Sequence, residues 1–147
     1  MVMRGNSPAK VDAQGRIKIP ANHRKVLDED YGPEVFVTSV TGENALIYPL
    51  SEWEKIEAKL QEPPKMLPEK VKFLRNTSYY GQVTTMDKQG RILIPQHLRE
   101  SASIDGDVAV MGQLHFLEVW NREKVTNRME ADPYTRDDAV VLAELGI

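Results

Sequence analysis

Two stretches of the chain repeat one set of polar groups at one spacing. Residues 12–24 read D-A-Q-G-R-I-K-I-P-A-N-H-R, and residues 87–99 read D-K-Q-G-R-I-L-I-P-Q-H-L-R. At an offset of 75, eight of the thirteen positions are identical, including Asp12/Asp87, Gly15/Gly90, Arg16/Arg91 and Arg24/Arg99. An ungapped match of that density marks two copies of one unit. In each copy the aspartate oxygen can accept backbone N–H groups two or three residues on, as in an Asx turn. The glycine can take the positive φ that closes a hairpin with a bulge. Asp12, Gly15, Asp87 and Gly90 are therefore read as loop-structuring residues. One carboxylate per loop offers too few oxygens for calcium or magnesium, so no metal site is expected.

Arg16 and Arg91 each follow a turn glycine and so project from the base of a hairpin loop. Each can pair with the aspartate of its own loop, and such a pair can also hold the arginine in position for a ligand. A planar guanidinium suits phosphate or a guanine edge. A loop present twice points to a ligand that repeats, and duplex DNA is such a ligand. Gln14 and Gln89, at the loop tips, are candidates for base or phosphate contacts. Lys10, Lys18 and Lys88 are candidates for phosphate contacts, and Arg4, in the same basic stretch, is a further candidate DNA contact.

The net charge of −3, from 19 Lys and Arg against 22 Asp and Glu, argues weakly against a polyanionic partner. Its distribution argues the other way. Residues 1–25 carry Arg4, Lys10, Arg16, Lys18, Arg24 and Lys25 against Asp12 alone, whereas residues 28–57 carry eight acidic side chains against Lys55. Local field matters more than the sum. There are no cysteines, which excludes zinc fingers, thiol catalysis and iron–sulfur clusters. His23, His97 and His115 have no second ligand at metal spacing and are assigned to surface or helix-packing roles. No Ser–His–Asp order, Gly-rich phosphate loop or carboxylate pair appears, so neither an enzyme nor a cofactor is expected. No apolar run approaches the roughly 18 residues that cross a membrane. The first residues lack the apolar segment of a signal peptide, and a cytoplasmic protein is expected.

The elements that must position these residues follow one plan twice. A short strand leads into Asp-x-x-Gly-Arg, and Ile-x-Ile-Pro then alternates as a strand with a sharp stop. The proline opens a helix at its first position. These helices are expected near 21–27 and 96–102, with strands near 34–40, 44–48, 107–112 and 115–119. Looser echoes place Val35-Phe36-Val37 against Val108-Ala109-Val110, Leu46-Ile47-Tyr48 against Phe116-Leu117-Glu118, and Glu54-Lys55-Ile56 against Glu123-Lys124-Val125. Ser51 and Glu54 are read as a capping box for a helix with Trp53, Ile56 and Leu60 on one face. A proline-rich connector at 61–68 precedes a helix over about 69–79. Thr135 and Asp138 cap a last short helix.

The repeated D-x-[KQ]-G-R-[IL]-x-[IL]-P unit resembles the AbrB-type swapped-hairpin DNA-binding domain. Two copies in a chain of this length resemble the MraZ family of bacterial transcriptional regulators. Arg4-Gly5-Asn6, L-I-Y-P-L-S-E-W-E at 46–54, Gly112 and E-V-W at 118–120 resemble landmarks of that family. Gln14 stands where lysine is common in the family. The resemblance implies a mainly β fold with short α-helices, in which two tandem swapped-hairpin units form one pseudo-twofold β-barrel. The units are placed at 7–54 and 83–126, with a linker and connecting helix at 55–82 and a helical tail at 127–147. Interleaving also solves a size problem, since a half of about 50 residues buries too little surface alone. The family's D-x-x-x-R arginines map onto Arg16 and Arg91. The implied function is binding of promoter direct repeats in double-stranded DNA, upstream of the chain's own division and cell-wall operon. The implied assembly is a homo-oligomeric ring on the nucleoid. The alternative is a protein-interaction module, since AbrB-like domains also act as antitoxins. The apolar residues Val140, Val141, Leu142 and Leu145 could then dock on a partner or on a neighbouring subunit.

Overall fold

The computed structural model describes residues 1–147. Its strands are β1 (Met3–Val11), β2 (Arg16–Lys18), β3 (Glu34–Thr38), β4 (Ala45–Pro49), β5 (Gln82–Thr85), β6 (Arg91–Leu93), β7 (Gly106–Leu114) and β8 (Leu117–Asn121). The helices are α1 (Ala21–Val26), α2 (Leu50–Leu60), α3 (Pro68–Tyr80), α4 (Gln96–Ala102), α5 (Arg122–Ala131) and α6 (Arg136–Ala143). A π-helical turn, Leu27–Tyr31, continues α1. The strands form one antiparallel sheet in the order β5-β3-β4-β8-β7-β1-β2-β6. Its edge strands, β5 and β6, are consecutive in the chain, so the sheet curls into a nearly closed barrel with the second repeated loop at the seam.

The pairings obey a pseudo-twofold axis. The first strand of each half pairs with the third strand of the other, β1 with β7 and β5 with β3. The second strands pair with each other about Ile17 and Ile92, and the fourth about Leu46 and Glu118. This is the expected interleaving of two swapped units. Alternation in Ile-x-Ile then decides the faces. Ile17, Ile19, Ile92 and Ile94 are buried with Leu98 in the shared core. Burying each such side chain contributes about 1.5–3 kcal/mol. Arg16, Lys18, Arg91 and Leu93 consequently face outward.

Several local expectations need correction. Ser51 and Glu54 form no capping box: β4 runs directly into α2 through Pro49, which takes the N-cap, and Ser51 lies inside the first turn. Pro20 and Pro95 likewise sit at N-caps rather than at first helical positions. The Thr135–Asp138 box is present. The register shows that the loose echoes past residue 45 were aligned too short. Pairing about Leu46 and Glu118 makes the offset 72, so Ile47 corresponds to Val119 and Tyr48 to Trp120. The N-caps Pro49 and Asn121 share that offset. β1 starts at Met3, ahead of the expected unit start at residue 7, and α5 continues past residue 126.

The halves differ at one core position. The offset of 75 places His23 where the second half has Leu98, and both are buried. The His23 Nε2 has no hydrogen-bond partner. Burial holds its pKa below the usual histidine value, with a hydrogen bond that the ring donates to the Val110 backbone carbonyl opposing the shift. A histidine kept neutral in the fold but free to protonate when unfolded destabilises the fold as pH drops below its ordinary value of about 6.5. His23→Leu is expected to raise stability by about 1 kcal/mol at neutral pH, and by more at pH 5. Denaturant melts at pH 5 and pH 8 check this; a variant with the wild type's pH dependence contradicts it.

Candidate nucleic-acid interface

The two Asp-x-x-Gly-Arg loops share every turn and clamp bond. The aspartate N–H donates to the arginine carbonyl, at 2.9 Å in the first loop and 3.0 Å in the second. The glycine N–H donates to the aspartate carbonyl at 3.0 Å in both. Asp12 Oδ1 accepts the N–H groups of Gln14 and Arg16, each at 2.9 Å. Asp87 Oδ1 accepts those of Gln89 at 2.9 Å and Arg91 at 2.8 Å. The carboxylate thus reaches two and four residues on, where two or three were expected. Its other oxygen accepts the guanidinium Nε, at 3.1 Å from Arg16 and 2.8 Å from Arg91. The aspartate therefore both closes the loop and holds the arginine.

This clamp works as an anion. Both carboxyls are held below the ordinary aspartate range, first by the backbone N–H of the arginine four residues on; partial desolvation opposes the shift. A depressed carboxyl contributes stability above its unfolded pKa, about 3.9, and loses it as pH falls through the lower folded value. Loop order is thus expected to survive acidification from neutral pH to about pH 4. A carboxyl-carbon NMR titration checks it; midpoints for Asp12 and Asp87 at or above the free-aspartate value contradict it.

Gly15 and Gly90 have φ of +83° and +78°, as the turn requires. A second reason for glycine was invisible in the repeat itself. A Cβ on Gly15 would lie 2.3 Å from Cζ of Arg99, and one on Gly90 would lie 2.9 Å from Cδ of Arg24. Each arginine belongs to the other half. Arg24 Nη2 also donates across the axis to the Lys88 carbonyl at 2.8 Å, whereas Arg99 Nε donates to the Ile94 carbonyl of its own half at 2.9 Å. Reciprocal main-chain bonds, Ile19 N–H to Gly90 O at 2.8 Å and Ile94 N–H to Gly15 O at 3.0 Å, complete the crossing. The identity of Arg24 and Arg99 thus reflects a brace in which each half supports the other's loop. Gly15→Ala is expected to destabilise the fold by about 1–3 kcal/mol. Adding Arg99→Ala should relieve the collision but not the strained φ. Zero coupling in that double-mutant cycle would remove the collision from the account.

The outer face of the β2–β6 ribbon brings Arg16, Lys18 and Arg91 together. Arg16 lies opposite Leu93, and Lys18 opposite Arg91. The two arginine Cα atoms are therefore about 7 Å apart along the strands and one strand spacing, about 4.8 Å, apart across them. Gln14 Oε1 accepts from Arg16 Nη2, whereas the Gln89 side chain has no such bond and leaves the Nη groups of Arg91 unpaired. Lys10 lies at the loop end of β1, mostly exposed and 3.9 Å from Asp107. Lys88 is exposed within the second loop. Arg4 is not part of this group: it sits at the far end of β1, roughly 23 Å along the strand from Val11.

Two interleaved strand–loop–strand–helix units, each with an aspartate-clamped arginine, define a tandem swapped-hairpin barrel of the AbrB type. A family model described as "MraZ protein, putative antitoxin-like" matches residues 2–76 and 82–131. The chain belongs to this family. It is 51% identical over 146 residues to a protein of Acidobacterium capsulatum named "Transcriptional regulator MraZ", covering 99% of this chain and 100% of that one. Proteins of the same name from Koribacter versatilis and Syntrophobacter fumaroxidans are 45% identical over 147 residues and 42% over 119. The first of these two covers 99% of this chain and 100% of its own; the second covers 81% and 79%.

Proposed function

We propose that this chain is a transcriptional regulator that binds duplex DNA through the β2–β6 ribbon and its two flanking loops. One observation carries the reading: two guanidinium groups, held by matching carboxylate clamps, share the outer face of a single two-stranded ribbon. A ribbon of that width fits the major groove, and a guanidinium fork matches the O6 and N7 acceptors of guanine. Lys10, Lys18 and Lys88 supply phosphate contacts that set register, while Arg16, Arg91 and the uncommitted Gln89 reach base edges. Gln14 acts by holding Arg16. Arg4, at the far end of β1, serves only phosphates beyond the groove that the loops enter. The names of the relatives support a regulator.

The finer reading is a homo-oligomeric ring binding direct repeats upstream of its own division and cell-wall operon, in the cytoplasm and on the nucleoid. No helix is long and apolar enough to cross a membrane. Several copies of the ribbon on one duplex raise affinity by orders of magnitude when repeat spacing matches subunit spacing. This lets each ribbon bind weakly.

Fluorescence anisotropy tests the proposal, using the duplex directly upstream of this gene against a shuffled duplex at several salt concentrations. Binding should favour the native duplex and weaken steeply with salt. Arg16→Ala and Arg91→Ala should each cost about 1–3 kcal/mol of affinity while leaving the melting transition nearly unchanged. Wild-type affinity in the folded double variant refutes the assignment.

A further inference from the structure

The helix α6 is specified with care yet packs on almost nothing. At its start, Thr135 Oγ1 accepts from the Asp138 N–H, and the Asp138 carboxylate accepts from the Thr135 N–H at 2.8 Å. At its end, Ile147 N–H donates to the Leu142 carbonyl and Gly146 N–H to Ala143, with Gly146 at φ +79°: a Schellman stop. None of its residues is buried. Val141 and Leu145 lie one turn apart and are 62% and 71% exposed; Ile147 is 82% exposed. An eight-residue helix is not stable in water on its own propensity. Two caps and an apolar stripe therefore point to a surface that covers it. The family match stops at residue 131, so this helix lies outside the part by which the family is recognised.

A complementary surface lies on the first half. The helices α2 and α3 flank a shallow, open apolar groove of about 310 Å³ lined by Ile56, Leu60 and Phe73, with Lys59, Glu69 and Lys70 at its rim. Met66 and Leu67, on the connector beside it, are exposed, as is Leu74. Over both walls, residues 50–80 carry six Lys and Arg against five Glu, and the rim itself carries Lys59 and Lys70 against Glu69. The tail from residue 129 carries Glu130, Asp132, Asp137, Asp138 and Glu144 against Arg136 alone. A mildly cationic rim on the groove thus complements an acidic flank on the helix.

The groove and the helix belong to different halves of the chain. Strands β4 and β8 run antiparallel side by side, so the helices that follow them, α2 and α5, leave from opposite ends of the pair. The four residues Asp132–Thr135 between α5 and α6 span at most about 14 Å. In this structure α6 does not fill the groove of its own chain: none of its residues lines the groove and none is buried. We propose that α6 docks in the α2–α3 groove of a second copy of this chain. The contact is head to tail, so its repetition closes a ring or grows a filament. This inference rests on the oligomer reading above and names the surfaces that would build it.

The test measures mass in solution by sedimentation velocity, with circular dichroism and thermal melting to confirm the barrel. Wild type should be an oligomer. Truncation after Asp132, the pair Val141→Asp and Leu145→Asp, and Leu60→Asp in the groove should each give the mass of one chain with the barrel intact. A charge swap separates docking from general loss of stability: Lys70→Glu should weaken the oligomer, and adding Asp137→Lys should restore part of it. Because the chain has no cysteine, Leu60→Cys with Leu145→Cys gives a clean cross-link. Oxidation should yield a ladder of multiples on a denaturing gel. A faster-running single chain would place α6 in its own groove and overturn the proposal. A folded oligomer that survives truncation overturns α6 docking alone, whereas a monomeric wild type overturns the ring reading with it.

Discussion

Neither half of this chain can complete the hydrogen bonding of its own first strand. Strand β1 finds its main partner in β7, and β5 finds its only ladder in β3, across the pseudo-twofold axis. An unpaired backbone group in a buried sheet costs as much as a lost hydrogen bond. The halves must therefore fold together, and the core they share is built from both copies of Ile-x-Ile. Everything at the candidate interface inherits this. The β2–β6 ribbon exists only because one strand comes from each half.

The arginine brace extends the same dependence to the loops. Arg24 and Arg99 reach across the axis and lie against the glycine of the opposite loop. Each glycine thus answers to two demands, a positive φ and room for a foreign side chain. The aspartate clamp answers to two as well, since one oxygen closes the turn and the other holds the outward arginine. Such double duty explains why eight identities survive in thirteen positions while Lys18 and Leu93, which face outward and brace nothing, differ.

What was legible in the sequence was whatever the repeat and its periodicity encode locally. The twofold plan, the inward isoleucines, the turn glycines and the pairing of Arg16 and Arg91 with their own aspartates all follow from spacing within one copy. The cross-axis role of Arg24 and Arg99 does not, because a contact between residues 15 and 99 leaves no local periodicity. The identity at Arg24/Arg99 was the one available signal. The helix α5 was read only as an echo of 54–56 and as the start of a helical tail at 127, because it is weakly amphipathic and buries no residue, so no apolar stripe marks its first turn. The false box at Ser51 arose because Pro49 ends a strand and opens a helix in one step, leaving no separate capping residue. Arg4 was grouped with the loops by charge, and a nine-residue strand then carried it to the other end of the molecule.

The crossing also bears on how the proposed interface would meet DNA. The two arginines sit on strands bonded to each other, and their loops are braced by opposite halves. Their separation is therefore fixed by the barrel and cannot adjust to a duplex without loosening both braces. At about 7 Å along the ribbon, they span roughly two base-pair steps of 3.4 Å. A single ribbon can then read only a short sequence, too short to mark one site in a genome. On the proposed reading, length of recognition would come from repetition of the rigid unit along the duplex, and the spacing between subunits, rather than flexibility within them, would set specificity.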